Sequence, residues 1–345
     1  MFRYGLSALW FSGVARALAP LTAGKGAILM MHRVQPGHVH GPFAPNAALS
    51  ITPEYLGSLL AAFRTSGLDV VDLDEAMRRV ESQDATQPFV CFTFDDGYRD
   101  NLQHAMPVFQ RYQCPFTVYA TSSFVERSFD PWWVLLERVV ATHARIRWAD
   151  AAGDTNYDTA ELDAKYEVFA ALSQRLMQLP LAALREQMAR LAHDHGLAVG
   201  EVSERETCDY SELLQLRAGG AEIGCHTVSH ALLLRETDAV VREELSTART
   251  SLEAGLRCPV RHLAFPYGKR DHVGDRDIAL AAELGFATAT TTRKGALFTA
   301  HAVHRHALPR VEVTSSFERS PHYLQAILSG LPLLLYNRGQ LAVTD

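Results

Sequence analysis

Two kinds of apolar pattern alternate along the chain. Short runs of consecutive apolar and β-branched residues, too continuous for a strand with one wet face, read as strands buried on both faces. They fall at Ala27–His32, Leu68–Val71, Phe89–Phe94, Pro115–Ala120, Ala221–Cys225, His262–Phe265, Phe286–Thr290 and Ala307–Val311. Helix signals lie between them. Thr52-Pro53-Glu54 supplies an N-cap, a proline at the first helical position and an early acid, opening a helix to about Ser66. Further helices are expected over Asp74–Val80, Asn101–Tyr112 with a kink at Pro107, and Thr237–Gly255, where Val240, Val241, Leu245 and Leu252 recur at helical spacing. Asp209 and Glu212 have capping-box spacing, and Gly219-Gly220 ends the helix they open. Ile278–Leu284 and Phe317–Leu331 complete the set. Strands that alternate with helices predict a parallel sheet with the helices outside it.

The rhythm breaks once. From Ser123 to Thr207 the chain reads as helices with no strand between them, notably Trp132–Leu136 and the Ala/Leu/Arg/Glu-rich stretch Glu161–His195. The expected organisation is an amphipathic segment 1–26, one α/β unit formed by 27–122 and 208–331, a helical insertion 123–207, and a tail 332–345. Trp132 and Trp133 either border a ligand site or anchor the insertion on the core. The run Leu232-Leu233-Leu234 is assigned to the core.

Composition narrows the classes. At 345 residues the chain can bury a large core. A net charge of −6 offers no cationic field for nucleic acid, so no such partner is expected. The five cysteines are scattered, odd in number and without CxxC spacing, which excludes a disulfide framework and favours a reducing compartment. Near the start, Arg3 precedes an apolar stretch, Leu6–Ala15, and Ala17-Leu18-Ala19 has small residues at cleavage-site spacing. Two readings stay open: a signal peptide whose end Arg16 interrupts, or an amphipathic helix packed on the domain or resting on a membrane surface. No run of about 18 apolar residues occurs, so a spanning helix is not expected. The expected localisation is cytoplasmic or membrane-peripheral, with export as the alternative.

The chemistry concentrates at strand ends. Val90–Phe94 runs into Asp95-Asp96-Gly97, two acids where a loop begins. His226-Thr227-Val228-Ser229-His230 follows another strand, and on one helical turn its two rings would share a face, as a metal site requires. With Asp96 they form an Asp-His-His set suited to Zn²⁺ or a similar divalent ion. Adjacent residues of an extended chain point to opposite sides, so the acids divide into a ligand, Asp96, and a base, Asp95. The reaction class is hydrolysis of an amide or ester.

Thr93-Phe94-Asp95-Asp96-Gly97-Tyr98, His226-Thr227-Val228-Ser229-His230 and Phe265-Pro266-Tyr267-Gly268 resemble, in order and spacing, the first three motifs of the polysaccharide deacetylases, the NodB-homology or carbohydrate esterase 4 family. The likeness spans roughly Ile28 to Val313, the insertion excepted. It implies a distorted (β/α) barrel and metal-dependent removal of N-acetyl groups from amino sugars. It also implies Asp95 as general base, Asp96, His226 and His230 as metal ligands, and the Tyr267 N–H as oxyanion donor. Tyr98 and Pro266, with His32 at the end of the first strand, are expected to meet substrate. Two departures stand out. The arginine that many members carry two residues before the proline of the third motif is Ala264 here, as in an Ala-aromatic-Pro-Tyr-Gly branch. Arg310 is either its replacement or an ordinary surface arginine. No late Leu-x-His is evident, and His306 or His304 is the candidate general acid. The alternatives are an O-deacetylase or other amide hydrolase, a catalytically silent glycan-binding homologue, and a membrane-peripheral scaffold.

Overall fold

The structure is a computed structural model that describes residues 2–37, 41–84, 87–150, 153–318, 320 and 322–344, without the side chains of residues 2–4 and 8. Its strands are β1 (Gly26–Met31), β2 (Arg33–Val34), β3 (Ser50–Ile51), β4 (Asp69–Val70), β5 (Phe89–Phe94) and β6 (Phe116–Ala120). They continue with β7 (Arg145–Asp150), β8 (Gly153–Asp158), β9 (Ala221–Cys225), β10 (His262–Ala264), β11 (Thr288–Lys294) and β12 (Leu308–Glu312). Seven close into a parallel ring in the order β1-β12-β11-β10-β9-β6-β5 and back to β1. The ring is distorted at β5. Its first residues pair with the short β4 (Val70↔Val90), whereas its last pair with β6 (Phe94↔Val118).

Period-two alternation then decides what each strand offers. Along β5, Val90, Phe92 and Phe94 join the main core under the helices, whereas Cys91 joins an inner cluster with Ile28, Tyr119, Ala264 and Leu308. The outer core is aromatic: Phe109 packs edge-on to Phe92 at 5.2 Å and stacks on Phe116 at 4.3 Å. The helix Leu73–Glu81 sends Leu73, Met77 and Val80 into the inner cluster, which leaves the opposite, carboxyl end of the ring open for polar side chains.

Several local expectations change. The segment Asn101–Ala105 forms one π-helical turn, and Pro107 sits at the start of the following helix, Met106–Tyr112, where it costs no hydrogen bond. The insertion is not purely helical. Between the helices Trp132–Thr142 and Leu162–Leu176 lies the antiparallel hairpin β7–β8, which the alternation of buried Ile146 and Trp148 with exposed Arg145 and Arg147 supports. Residues of this region also pack into their own apolar cluster, with Trp148, Leu172 and Leu191 buried in it. Of the Leu232–Leu234 run, Leu233 is buried but Leu234 is exposed. The segment expected as a tail contains the helix Leu331–Tyr336, and the Val343 carbonyl lies 3.0 Å from His301 Nε2. Among the described residues, no helix is long and apolar enough to cross a membrane.

The turn after β5 depends on Gly97, whose φ is +69°. An alanine there must adopt the left-handed conformation, at a cost of about 1–2 kcal/mol. Gly97→Ala is therefore expected to lower the unfolding free energy by about that amount in a urea titration.

Candidate metal and catalytic site

The carboxyl ends of the strands surround a cavity of about 470 Å³, within the range of small-molecule sites. β1 contributes Met30 and, one residue past its end, His32; β5 is followed by Asp95 and Asp96, and β9 by His226 and His230. β1 and β5 are in register up to Met31↔Phe94, and the Asp95 N–H donates to the Met31 carbonyl at 2.9 Å. The same register continued by one residue sets His32 beside Asp95.

Asp95 is buried, and Arg310 of β12 grips it with two parallel hydrogen bonds, Nη1 to Oδ1 and Nη2 to Oδ2, each 2.7 Å. Arg310 is held in turn: its Nε donates to the Thr291 carbonyl at 2.9 Å and its Nη1 to Thr93 Oγ1 at 3.2 Å. Burial pushes the Asp95 carboxyl pKa upward, but the Arg310 guanidinium, helped by His226, outweighs it and holds the group well below the usual carboxylate range. The side chain is therefore ionised and fixed in orientation. Arg310 is no surface arginine: it is fully buried, and Asp95 takes both of its terminal nitrogens.

Asp96 departs from the strand in a left-handed turn, φ +73°, so this turn rather than strand alternation separates the two acids. Its Oδ1 lies 3.5 Å from His226 Nε2 and 3.4 Å from His230 Nε2. His226 Nδ1 is 2.7 Å from the Ala264 carbonyl, which accepts its proton and turns Nε2 toward the carboxylate. Burial pushes the His230 pKa down to about 3, so that ring is neutral. Asp96 Oδ1 is buried with no hydrogen-bond partner among the described residues. Burial pulls the His226 pKa down, but the bond to Asp96 and the charges of Asp95 and Asp96 outweigh it and raise it; Asp96 Oδ1 and the two Nε2 atoms thus converge on one point. Donors about 2.1 Å from a tetrahedral ion stand about 3.4 Å apart, so the cluster fits a divalent cation of the zinc type. Asp96, His226 and His230 are a group able to hold one.

The two histidines are not on one helical turn. They flank a tight loop in which Thr227 (φ +66°) and His230 (φ +53°) are both left-handed. Glu244, buried on the helix Asp238–Leu256, clamps this loop by accepting the Ser229 N–H at 2.8 Å, and Thr227 Oγ1 accepts the His230 N–H at 3.0 Å. Tyr267, φ +60°, lines the cavity, and its N–H donates to no other described residue. Its ring and that of Trp133 both pack against His230, each with centroids 4.7 Å away.

Other expected site residues lie elsewhere. Tyr98 is fully buried; its hydroxyl accepts the Trp133 indole N–H at 2.8 Å and Arg33 stacks over its ring at 4.4 Å, so it supports the wall instead of lining the catalytic cavity. Pro266 is buried in the turn after β10 and does not line that cavity. His306 precedes β12 and bonds the Phe286 carbonyl at 2.7 Å, before β11 begins. Both it and the exposed His304 are therefore at the amino end of the ring, opposite Asp95. Neither can donate a proton at the site. The reading also missed Lys269, Lys294 and Glu312, which line the cavity. Their signal was available, since each stands at or just past the carboxyl end of a parallel strand. Trp132 and Trp133 do both things proposed for them, lining the cavity and anchoring the insertion; Trp132 donates to the Tyr267 hydroxyl at 2.9 Å.

A parallel barrel carrying an Asp-His-His cluster and a second carboxylate at its open end has the form of a deacetylase barrel. The family model described as polysaccharide deacetylase matches residues 82–148 and 192–289, so the chain is similar to that family over both parts of its barrel. No curated protein sequence matches it. Among solved structures, the deacetylase PplD of Streptococcus pyogenes, in complex with acetate, shares 18% identity over 87% of this chain and 96% of its own, with a TM-score of 0.56. IcaB from Ammonifex degensii shares 16% over 89% of this chain and 97% of its own, with a TM-score of 0.57. BC0361, a polysaccharide deacetylase from Bacillus cereus, shares 16% over 87% of this chain and 69% of its own, with a TM-score of 0.53. At these identities the likeness establishes a common architecture.

Replacing Asp96 by Asn is expected to weaken Zn²⁺ binding by more than about 100-fold, beyond the loss usual for outer-sphere partners. A titration against a chromophoric chelator measures it, and unchanged affinity would place the ion elsewhere.

Proposed function

We propose that the protein is a metal-dependent hydrolase that removes N-acetyl groups from N-acetylhexosamine units of a polysaccharide or its glycolipid precursor. The observation that carries this reading is the pairing of an ionised, oriented carboxylate, Asp95 under Arg310, with an adjacent, buried and converging Asp96–His226–His230 cluster. A divalent ion, Zn²⁺ by its donor set, supplies Lewis acidity toward the acyl oxygen and toward water. Asp95 takes the proton of the attacking water. The free Tyr267 N–H is directed to the charge that develops on the acyl oxygen. His32, among the described residues the one histidine lining the cavity outside the ligand set, gives a proton to the departing amine. A silent, binding-only alternative rests on the arginine missing at Ala264 and on the absent late histidine; the Arg310–Asp95 pair speaks against the first ground, and the second is met here only by His32.

Asp95→Asn is expected to cut acetate release from N-acetylated oligosaccharides by about 10²–10⁴-fold while Zn²⁺ affinity holds. His32→Gln should lower kcat by about 10²-fold with little change in KM. Parallel assays on N-acetylated and O-acetylated glycans separate amide from ester specificity. Rates on O-acetyl substrates alone would overturn the N-deacetylase assignment.

Arg310 acts through Asp95 and is a positioning residue. Arg310→Met leaves a buried carboxylate unpaired, at a cost of about 3–5 kcal/mol in stability. It should also lower kcat with KM nearly unchanged, and Arg310→Lys should restore part of both. A loss confined to stability would limit the residue to a structural part.

A further inference from the structure

Charge is distributed unevenly over this acidic chain. Apart from Asp345, every Asp and Glu lies between Glu54 and Glu318. The two carboxylate-free stretches come together in space. The helices Phe2–Phe11 and Val14–Thr22 pack against His322–Leu328 and Leu331–Tyr336, and Thr22 Oγ1 donates to the Ser329 carbonyl at 2.6 Å.

This surface is apolar as well as free of acid. On the helix Val14–Thr22 the buried residues are Ala15 and Thr22. Val14, Leu18 and Leu21 recur at helical spacing and are exposed, as is Phe11 at the end of the preceding helix, with Phe11 and Leu21 more than 70% exposed. Leu335 and Tyr336 extend the patch at about 60% exposure, and the exposed Arg16 and Arg338 flank it. A stripe of large apolar residues edged by arginines and lacking carboxylates matches the interface of an anionic bilayer.

The same surface reaches the catalytic cavity. Tyr336, at the end of its helix, lines that cavity. It also lines a second, mostly apolar one of about 180 Å³ behind Phe317, Ile327, Pro332 and Leu333, which shares Lys294 and Glu312 with the first. A sugar in the polar cavity would thus have an apolar recess and an apolar outer face beside it.

We propose that this face docks on an anionic lipid bilayer and that the acetylated sugar arrives as the headgroup of a glycolipid in that bilayer. The substrate half rests on the deacetylase reading above; the docking half does not. Vesicles of phosphatidylcholine alone, and of phosphatidylcholine with phosphatidylglycerol, serve as probes for cosedimentation of the full chain. Strong partition to the anionic vesicles is expected, falling at least about tenfold with Leu21→Asp and about fivefold with Arg16→Glu. Absence of vesicle binding, equal binding to neutral vesicles, or variants that bind like the wild type would each overturn docking. Sedimentation velocity that finds a dimer lost in Leu21→Asp would also overturn it, because a second copy would then cover the stripe.

Activity is read separately on soluble diacetylchitobiose and on a dialkyl-lipid-linked diacetylchitobiose in anionic vesicles. Leu21→Asp should lose about tenfold on the vesicle substrate and keep the soluble rate. Equal loss on both substrates, or loss on neither, would overturn the glycolipid assignment. A wild-type chain inactive on both overturns the deacetylase reading and the glycolipid assignment with it, while docking is still decided by cosedimentation.

Discussion

A carboxylate and a guanidinium buried together inside a β-ring constrain everything around them. An unpaired Asp95 would be costly in that interior, and an unpaired Arg310 equally so. Each makes the other tolerable, and two 2.7 Å bonds leave the carboxylate little freedom to rotate. The pair joins β5 to β12 across the interior, although β1 stands between them in the ring. Its geometry holds only if both strands keep their register against β1. The interaction that orients Asp95 is thus also a check on correct closure of the barrel.

Around that fixed point the site is built from turns, not from regular elements. Asp96, Thr227, His230 and Tyr267 all have positive φ, and all belong to the three motifs. Each non-glycine residue in that region costs about 1–2 kcal/mol. The turns persist because their surroundings over-determine them, as Glu244 does for the histidine loop and Thr292 does by donating to the Tyr267 carbonyl at 2.5 Å. Strain of this kind aims three donor atoms at one point in a way that straight strands could not.

Much of this was legible in the residues. The strand runs, the alternation with helices and the acid pair at a strand end all depend on local pattern, and local pattern survives folding. What was misread depended on distance. His306 lies in the part of the chain where a late Leu-x-His is expected, but the strand β12 begins after it and leaves it at the end of the ring opposite Asp95. HxxxH suggested a helical turn, whereas the Thr227 hydroxyl bonded to the His230 N–H stabilises a tighter loop. The hairpin β7–β8 was hidden because β8 is almost wholly exposed and carries no apolar alternation of its own. Arg310 could be nominated from its strand, but its partner could not be known without the closure of the sheet.

The insertion bears most directly on what the site accepts. Its first helix carries Trp132 and Trp133 to the cavity, where one indole bonds the Tyr267 hydroxyl and the other the Tyr98 hydroxyl. Both tyrosines belong to the barrel motifs, so barrel and insertion share hydrogen bonds at the wall of the cavity. A packing change within the insertion core would therefore shift Trp133, and with it the ring against His230. The barrel supplies the oriented carboxylate, His32 and the converging donor atoms. The shape into which a substrate must fit is supplied in large part by the segment that interrupts it.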